Sequence, residues 1–84
     1  MSDAEVLELR RLLANEIGRR LPHATDDPAQ ARSVLHALRG SAAMAGESEL
    51  ALVLNQLGGR LRAGEQRATQ TVREVLSQAA LRLN

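Results

Sequence analysis

The sequence predicts an all-α domain, an antiparallel up-and-down four-helix bundle, and three observations predict it. Apolar residues recur at three- and four-residue spacing in four successive segments. Ala, Leu, Glu and Arg dominate, Phe, Tyr and Trp are absent, and only 2 prolines interrupt the chain, a balance that favours helix over sheet. The segments are joined by short connections marked by proline or glycine, as antiparallel neighbours require. A chain of 84 residues makes one domain with a modest core, built from Leu, Val, Ile and Ala alone.

Ser2, followed three residues later by Glu5, forms a capping box and starts the first helix. Val6, Leu9, Leu13 and Ile17, widened by Leu12 and Leu21, make its apolar stripe, and Pro22 ends it before a loop running to Asp27. Asp27, Pro28 and Gln30 give the second helix an acceptor at its N-cap, a proline in its first turn and a capping-box partner. Gly46 suits the left-handed position just past its C-terminus. Glu47, Ser48 and Glu49 place acid at the start of the third helix, whose stripe is Leu50, Val53, Leu54, Leu57 and Leu61. Gly58 and Gly59 interrupt that helix at roughly 1 kcal/mol each relative to alanine, read either as close packing or a kink, or as room beside the second helix. Gly64 ends it, and residues 65–83 supply the fourth helix with Val72, Val75, Leu76, Ala79 and Leu83 facing inward.

Eleven arginines oppose ten acids for a formal charge of +1, which implies no nucleic-acid partner. There is no cysteine for disulfide or thiolate chemistry, and two histidines alone do not make a structural zinc site. His23, in the first loop, reads as a solvated residue. Apolar runs fall far short of a membrane span, and acids among the first eight residues do not fit a secretory signal. The expectation is a soluble cytoplasmic domain with no membrane partner.

The chemistry concentrates between Leu35 and Gly46. At about 100° per residue, Ala31, Val34, Leu35, Leu38, Ala42 and Ala45 share one side of the second helix. His36 points roughly 140° away from the centre of that side, with Arg32 one turn before it, Arg39 and Gly40 one turn after, and Ala43 two turns on. No triad surrounds it. A neutral imidazole nitrogen attacks phosphorus without a dedicated base, and an ordinary histidine ring is largely neutral at physiological pH. Arg39 can hold phosphoryl oxygens, while Gly40 and Ala43 leave a flat approach for another protein. Taken singly, Arg39 is a solvated charge, Gly40 a helix defect and Ser41 a neutral helix-contact residue; the combination carries the reading.

At these residues the sequence resembles the histidine phosphotransfer (HPt) family, including the N-terminal HPt domain of chemotaxis-type histidine kinases. The family motif runs His-x-x-Lys-Gly-Ser/Gly-Ala-x-x-x-Gly with a leucine four residues later, met here by His36, Arg39, Gly40, Ser41, Ala42, Gly46 and Leu50. The resemblance implies a helical bundle, residues 1–84 as a single HPt-like domain or the first domain of a longer kinase, with the phosphoacceptor His36 on the second helix. It implies Arg39 as the group stabilising phosphoryl charge and Arg32, Gly40 and Ala43 as partner-docking residues. The implied partners are a response-regulator receiver domain, a histidine-kinase ATP-binding domain, or both. ATP and a divalent metal are supplied by the partner, with no cofactor or metal bound by this domain. Arg39 departs from the usual lysine but keeps the charge. Gly58 departs further: many members carry Glu or Gln at the matching position, where it fixes the second imidazole nitrogen, so that role falls to Gln56, Asn55, water or a backbone carbonyl, or the ring is less well held.

Three other readings stand beside this one. A degenerate HPt-like adaptor binds a receiver or kinase without accepting phosphate; a helical dimerisation module shows a concentration-dependent mass and no phosphorylation. An enzyme acting alone is least supported, since the sequence holds no acid–base pair, nucleophile–base pair or phosphate loop.

Overall fold

A capping box forms at the start of the chain as the sequence requires: the Glu5 backbone N–H donates to Ser2 Oγ at 3.2 Å, and the Ser2 N–H faces Glu5 Oε1 at 3.5 Å. The computed structural model describes residues 2–84, which form helices α1 (Asp3–Arg20), α2 (Pro28–Met44), α3 (Ser48–Arg62) and α4 (Ala68–Leu83). They pack with antiparallel contacts into a rod of 41 × 20 × 16 Å, and no strand occurs among the described residues. The fold is therefore all-α, with four helices as expected.

Each helix contributes to a single aliphatic core. Ile17 of α1, Leu38 of α2, Leu54 of α3, and Val72 and Leu76 of α4 are the largest fully buried side chains. Complete burial of each contributes about 1.5–3 kcal/mol. α2 and α3 share the most extensive interface, and α1 packs chiefly on α4. Polar contacts fix the arrangement at the edges. Ser41 Oγ donates to the half-buried Glu16 Oε1 at 2.7 Å, tying α2 to α1. Arg73 of α4 donates to the Ala24 carbonyl and to Asp26 in the first connection, at 3.2 and 2.8 Å.

The connections depart from expectation in three places. Leu21–His23 is a turn of 3₁₀ helix with Pro22 inside it, because proline fits the first turn of a new helical segment while it breaks the old one. α4 starts at Ala68, three residues later than position 65: residues 65–67 complete the reversal after α3, and Gln66 spends its carbonyl on Thr69 Oγ1 at 2.8 Å. Glu47 precedes α3 without capping it; its carboxylate instead accepts from Arg82 Nη2 at 2.7 Å and lies 3.9 Å from Arg10 Nε, joining the α2–α3 turn to α4 and α1.

Both glycine stops form as expected. Gly46 takes φ +76° and Gly64 φ +89°. After α2, the Glu47 and Gly46 N–H groups donate to the Ala42 and Ala43 carbonyls at 2.9 and 3.1 Å. After α3, Glu65 and Gly64 do the same to Arg60 and Leu61 at 3.1 and 3.0 Å, the paired bonds of a Schellman motif in each case.

The stripes need correction. Val6, Leu12 and Val53, assigned inward, are 37%, 52% and 37% exposed, while Ala14 is buried in the α1 seam and Gly58 in that of α3. The inward face of each helix is therefore a narrower line than the leucines alone suggest.

Candidate functional site

The site begins with the anchoring of α2. Asp27 Oδ1 accepts from the Ala29 N–H at 3.0 Å, which satisfies an orphan donor and sets where the helix begins; such a cap is worth about 1 kcal/mol. Gln30 does not reach back to complete a capping box and instead accepts from Thr25 Oγ1 at 2.6 Å. Leu35 and Leu38, 2% and 0% exposed, then lock the rotation of α2 about its axis. His36 is consequently exposed, and Arg32, Gly40 and Ala43 are exposed along the same stripe. Ser41 falls outside it and is consumed by Glu16.

His36 does not stand on a free helix surface. It borders a recess of about 40 Å³ between α2 and α3, lined also by Arg32, Leu35, Arg39, Asn55, Gly58 and Arg62. Asn55, Gly58 and Arg62 sit at i, i+3 and i+7, one face of α3. Across the recess Arg39 Nη1 donates to Asn55 Oδ1 at 2.7 Å, and Arg39 Nη2 lies 3.5 Å from His36 Nδ1. Gly58 faces this space with no side chain; although it is buried, a Cβ added there meets no heavy atom within 4 Å. The close-packing account of Gly58 therefore has no contact to support it, and room beside α2 is what the glycine provides.

The electrostatics of the recess are unbalanced. Arg32, Arg39 and Arg62 line it, no carboxylate does, and none of the three forms an ion pair among the described residues. Of the other eight arginines, Arg10, Arg11, Arg20, Arg60, Arg73 and Arg82 have carboxylates within 4.0 Å, while Arg19 and Arg67 stand apart from the recess. Gathering cations without a counter-charge is mildly unfavourable and makes the spot attractive to an anion. Chemically the arrangement offers one imidazole nucleophile and three guanidinium forks suited to phosphoryl or carboxylate oxygens.

Two residues of this site were not singled out as functional from the sequence. Arg62 belongs to it only because α3 folds back along α2, and its signal was the shared face with Gly58, four residues earlier. Asn55 appears among the substitutes for the absent acceptor at position 58, and it reaches the ring through Arg39; Gln56 does not line the recess.

Other features lie apart. An open groove of about 750 Å³ runs between α3 and α4 over Leu50, Val53, Val75 and Ala79, and shares no residue with the recess. His23 is exposed in the 3₁₀ turn. Among the described residues no three His, Cys, Asp or Glu side chains converge as a metal would need, and no helix is long and apolar enough to cross a membrane. No protein-family model matches the chain, and neither the curated proteins nor the solved structures provide a match.

Proposed function

We propose that this chain is a histidine phosphotransfer domain of a two-component phosphorelay, an up-and-down bundle that carries a phosphoryl group on His36. The observation that carries the reading is His36, exposed on α2 beside three arginines that no carboxylate neutralises. A phosphoryl group is a ligand such forks bind well, and the imidazole is the nucleophile within their reach. His36 attacks through the ring nitrogen farther from the backbone, as the family resemblance implies. Arg39 and Arg62 meet the phosphoryl oxygens; Arg32, Gly40 and Ala43 form the ground on which the partner docks.

The partner is a cytoplasmic receiver domain with a phosphorylated aspartate, or the ATP-binding domain of a histidine kinase of chemotaxis-like or related type. ATP and the divalent metal belong to that partner, which supplies the larger stabilisation of the transferring group. The domain is a carrier with no turnover of its own.

A second reading, an adaptor that docks without accepting phosphate, draws on one observation: Gly58 leaves α3 with no side-chain acceptor for the ring. The test offers the parent and His36→Gln to a panel of phosphorylated receivers and kinase ATP-binding domains and measures acid-labile label. Label on the parent alone supports the carrier. Binding without label transfers the assignment to the adaptor, and absence of both removes the signalling reading.

A further inference from the structure

We propose that Arg39, held by Asn55, is a latch that fixes the tautomer of His36 in the resting domain; the inference rests on the phosphotransfer reading for its purpose but on geometry for its existence. A guanidinium has five N–H donors and no acceptor. A hydrogen bond across the 3.5 Å that separates Arg39 Nη2 from His36 Nδ1 therefore requires the ring nitrogen to be the acceptor and to carry no proton. The proton of the neutral ring is then on Nε2. A protonated Nε2 has no lone pair in the ring plane and cannot attack phosphorus. The resting domain therefore holds the outward nitrogen in its unreactive form.

Three features build the latch. Arg39 is one turn from His36 and half-buried, so its head is confined near the ring. Asn55 takes the other arm of the fork at 2.7 Å from the opposite helix, which stops Arg39 from swinging into water. Gly58 supplies no competing acceptor that could draw a proton onto Nδ1. Asn55 is thus a positioning residue that acts through Arg39.

The latch opens when a better acceptor arrives. Phosphoryl oxygens form shorter, charge-assisted bonds with a guanidinium than a neutral ring nitrogen at 3.5 Å does. Arg39 turns to them, Nδ1 is freed, and the ring loses its Nε2 proton to water while Nδ1 gains one. The Nε2 lone pair then forms the N–P bond as the P–O bond to the donor breaks, and the donor oxygen leaves with its electron pair. The ring is left with its Nδ1 proton and a positive charge, which is lost when water takes that proton. Coupling the tautomer to arrival of the anion limits the reactive ring to the docked complex.

The test is ¹⁵N NMR of the imidazole nitrogens at a pH where both rings are neutral, with exposed His23 as the internal reference for a water-exposed ring. The parent is expected to show His36 fixed as the Nε2–H tautomer. Asn55→Ala and Arg39→Ala should return it to the mixture shown by His23, while Asn55→Asp, which keeps an acceptor for Arg39, should preserve the fixed form. In label transfer Asn55→Ala is expected to accept phosphate about two- to tenfold faster, since a contact as long as 3.5 Å contributes no more than an ordinary hydrogen bond even with a charged donor. A His36 spectrum matching His23 in the parent, or one unmoved by Asn55→Ala, overturns the latch. A fixed tautomer released by both alanine variants in a domain that accepts no label keeps the latch and removes the carrier function, so the two failures are separable.

Discussion

Replacing Gly58 by alanine is expected to stabilise the domain, an unusual outcome for a buried glycine at a helix–helix seam. Gly58 lies well inside α3, where exchanging glycine for alanine gains about 1 kcal/mol by removing backbone freedom from the unfolded chain. The added methyl meets no heavy atom within 4 Å, so no steric cost offsets this, and its partial burial contributes at most about 0.8 kcal/mol more. The net gain is about 1–1.8 kcal/mol. For a domain of this size each kcal/mol moves Tm by roughly 4–8 °C, which places the shift at roughly 4–14 °C upward. Gly59→Ala, equally unobstructed but less buried, reports the backbone contribution with little of the burial. Gly46→Ala provides the opposite sign: at φ +76° a Cβ costs about 1–2 kcal/mol, and Tm should fall. Thermal and urea unfolding followed by far-ultraviolet circular dichroism measures all three. A drop in Tm for Gly58→Ala would refute the reasoning, because it would mean that α2 and α3 close against each other where the recess beside His36 has been placed.

Four further outcomes test other parts of the account. Leu38→Ala, at a site with 0% exposure, is expected to cost about 2–5 kcal/mol, read as a lower urea midpoint at unchanged slope. Ser41→Ala removes the 2.7 Å bond to half-buried Glu16 and should cost about 1 kcal/mol by the same measurement, without loss of phosphate acceptance. His36→Gln should abolish acid-labile label and change stability by no more than about 0.5 kcal/mol, since the side chain is exposed; a large loss of fold would contradict its placement. Gly58→Glu puts an acceptor into the recess that competes with Arg39 for the ring, and it should preserve or raise the rate of phosphate acceptance while moving His36 toward the Nδ1–H tautomer; unfolding of this variant would identify Gly58 as a packing residue.

The fold was legible where a local rule decides it. Ser2 with Glu5, Asp27 with Pro28, and the glycines at 46 and 64 each satisfy terminal backbone groups within a few residues of themselves, so composition and spacing suffice to place those ends. Legibility failed where the answer is set by a neighbour distant in sequence. Leu12 and Val53 fit their stripes by angle, but the buried lines of α1 and α3 run through Ala14 and Gly58 instead. Glu47 looks like a first-turn acid, yet Arg82, thirty-five residues on, claims its carboxylate. The placement of His36 beside Arg32 and Arg39 follows from one helical turn of geometry. The role of Asn55 does not, because it depends on how α3 lies along α2 and on which arm of a guanidinium reaches across.

The aromatic-free core makes this domain a quiet background against which other molecules can be observed. With no Phe, Tyr or Trp, the only aromatic rings in the chain are the imidazoles of His23 and His36, one in the turn after α1 and one at the candidate site. The aromatic region of its proton spectrum reduces to two spin systems, so the ring of interest is assigned by a single substitution. Tryptophan or tyrosine emission from a docking partner is likewise unmasked, and titrating the unlabelled domain into such a partner reports docking directly. Near-ultraviolet absorbance is blind to the chain itself, and its concentration must be taken from peptide-bond absorbance or amino-acid analysis.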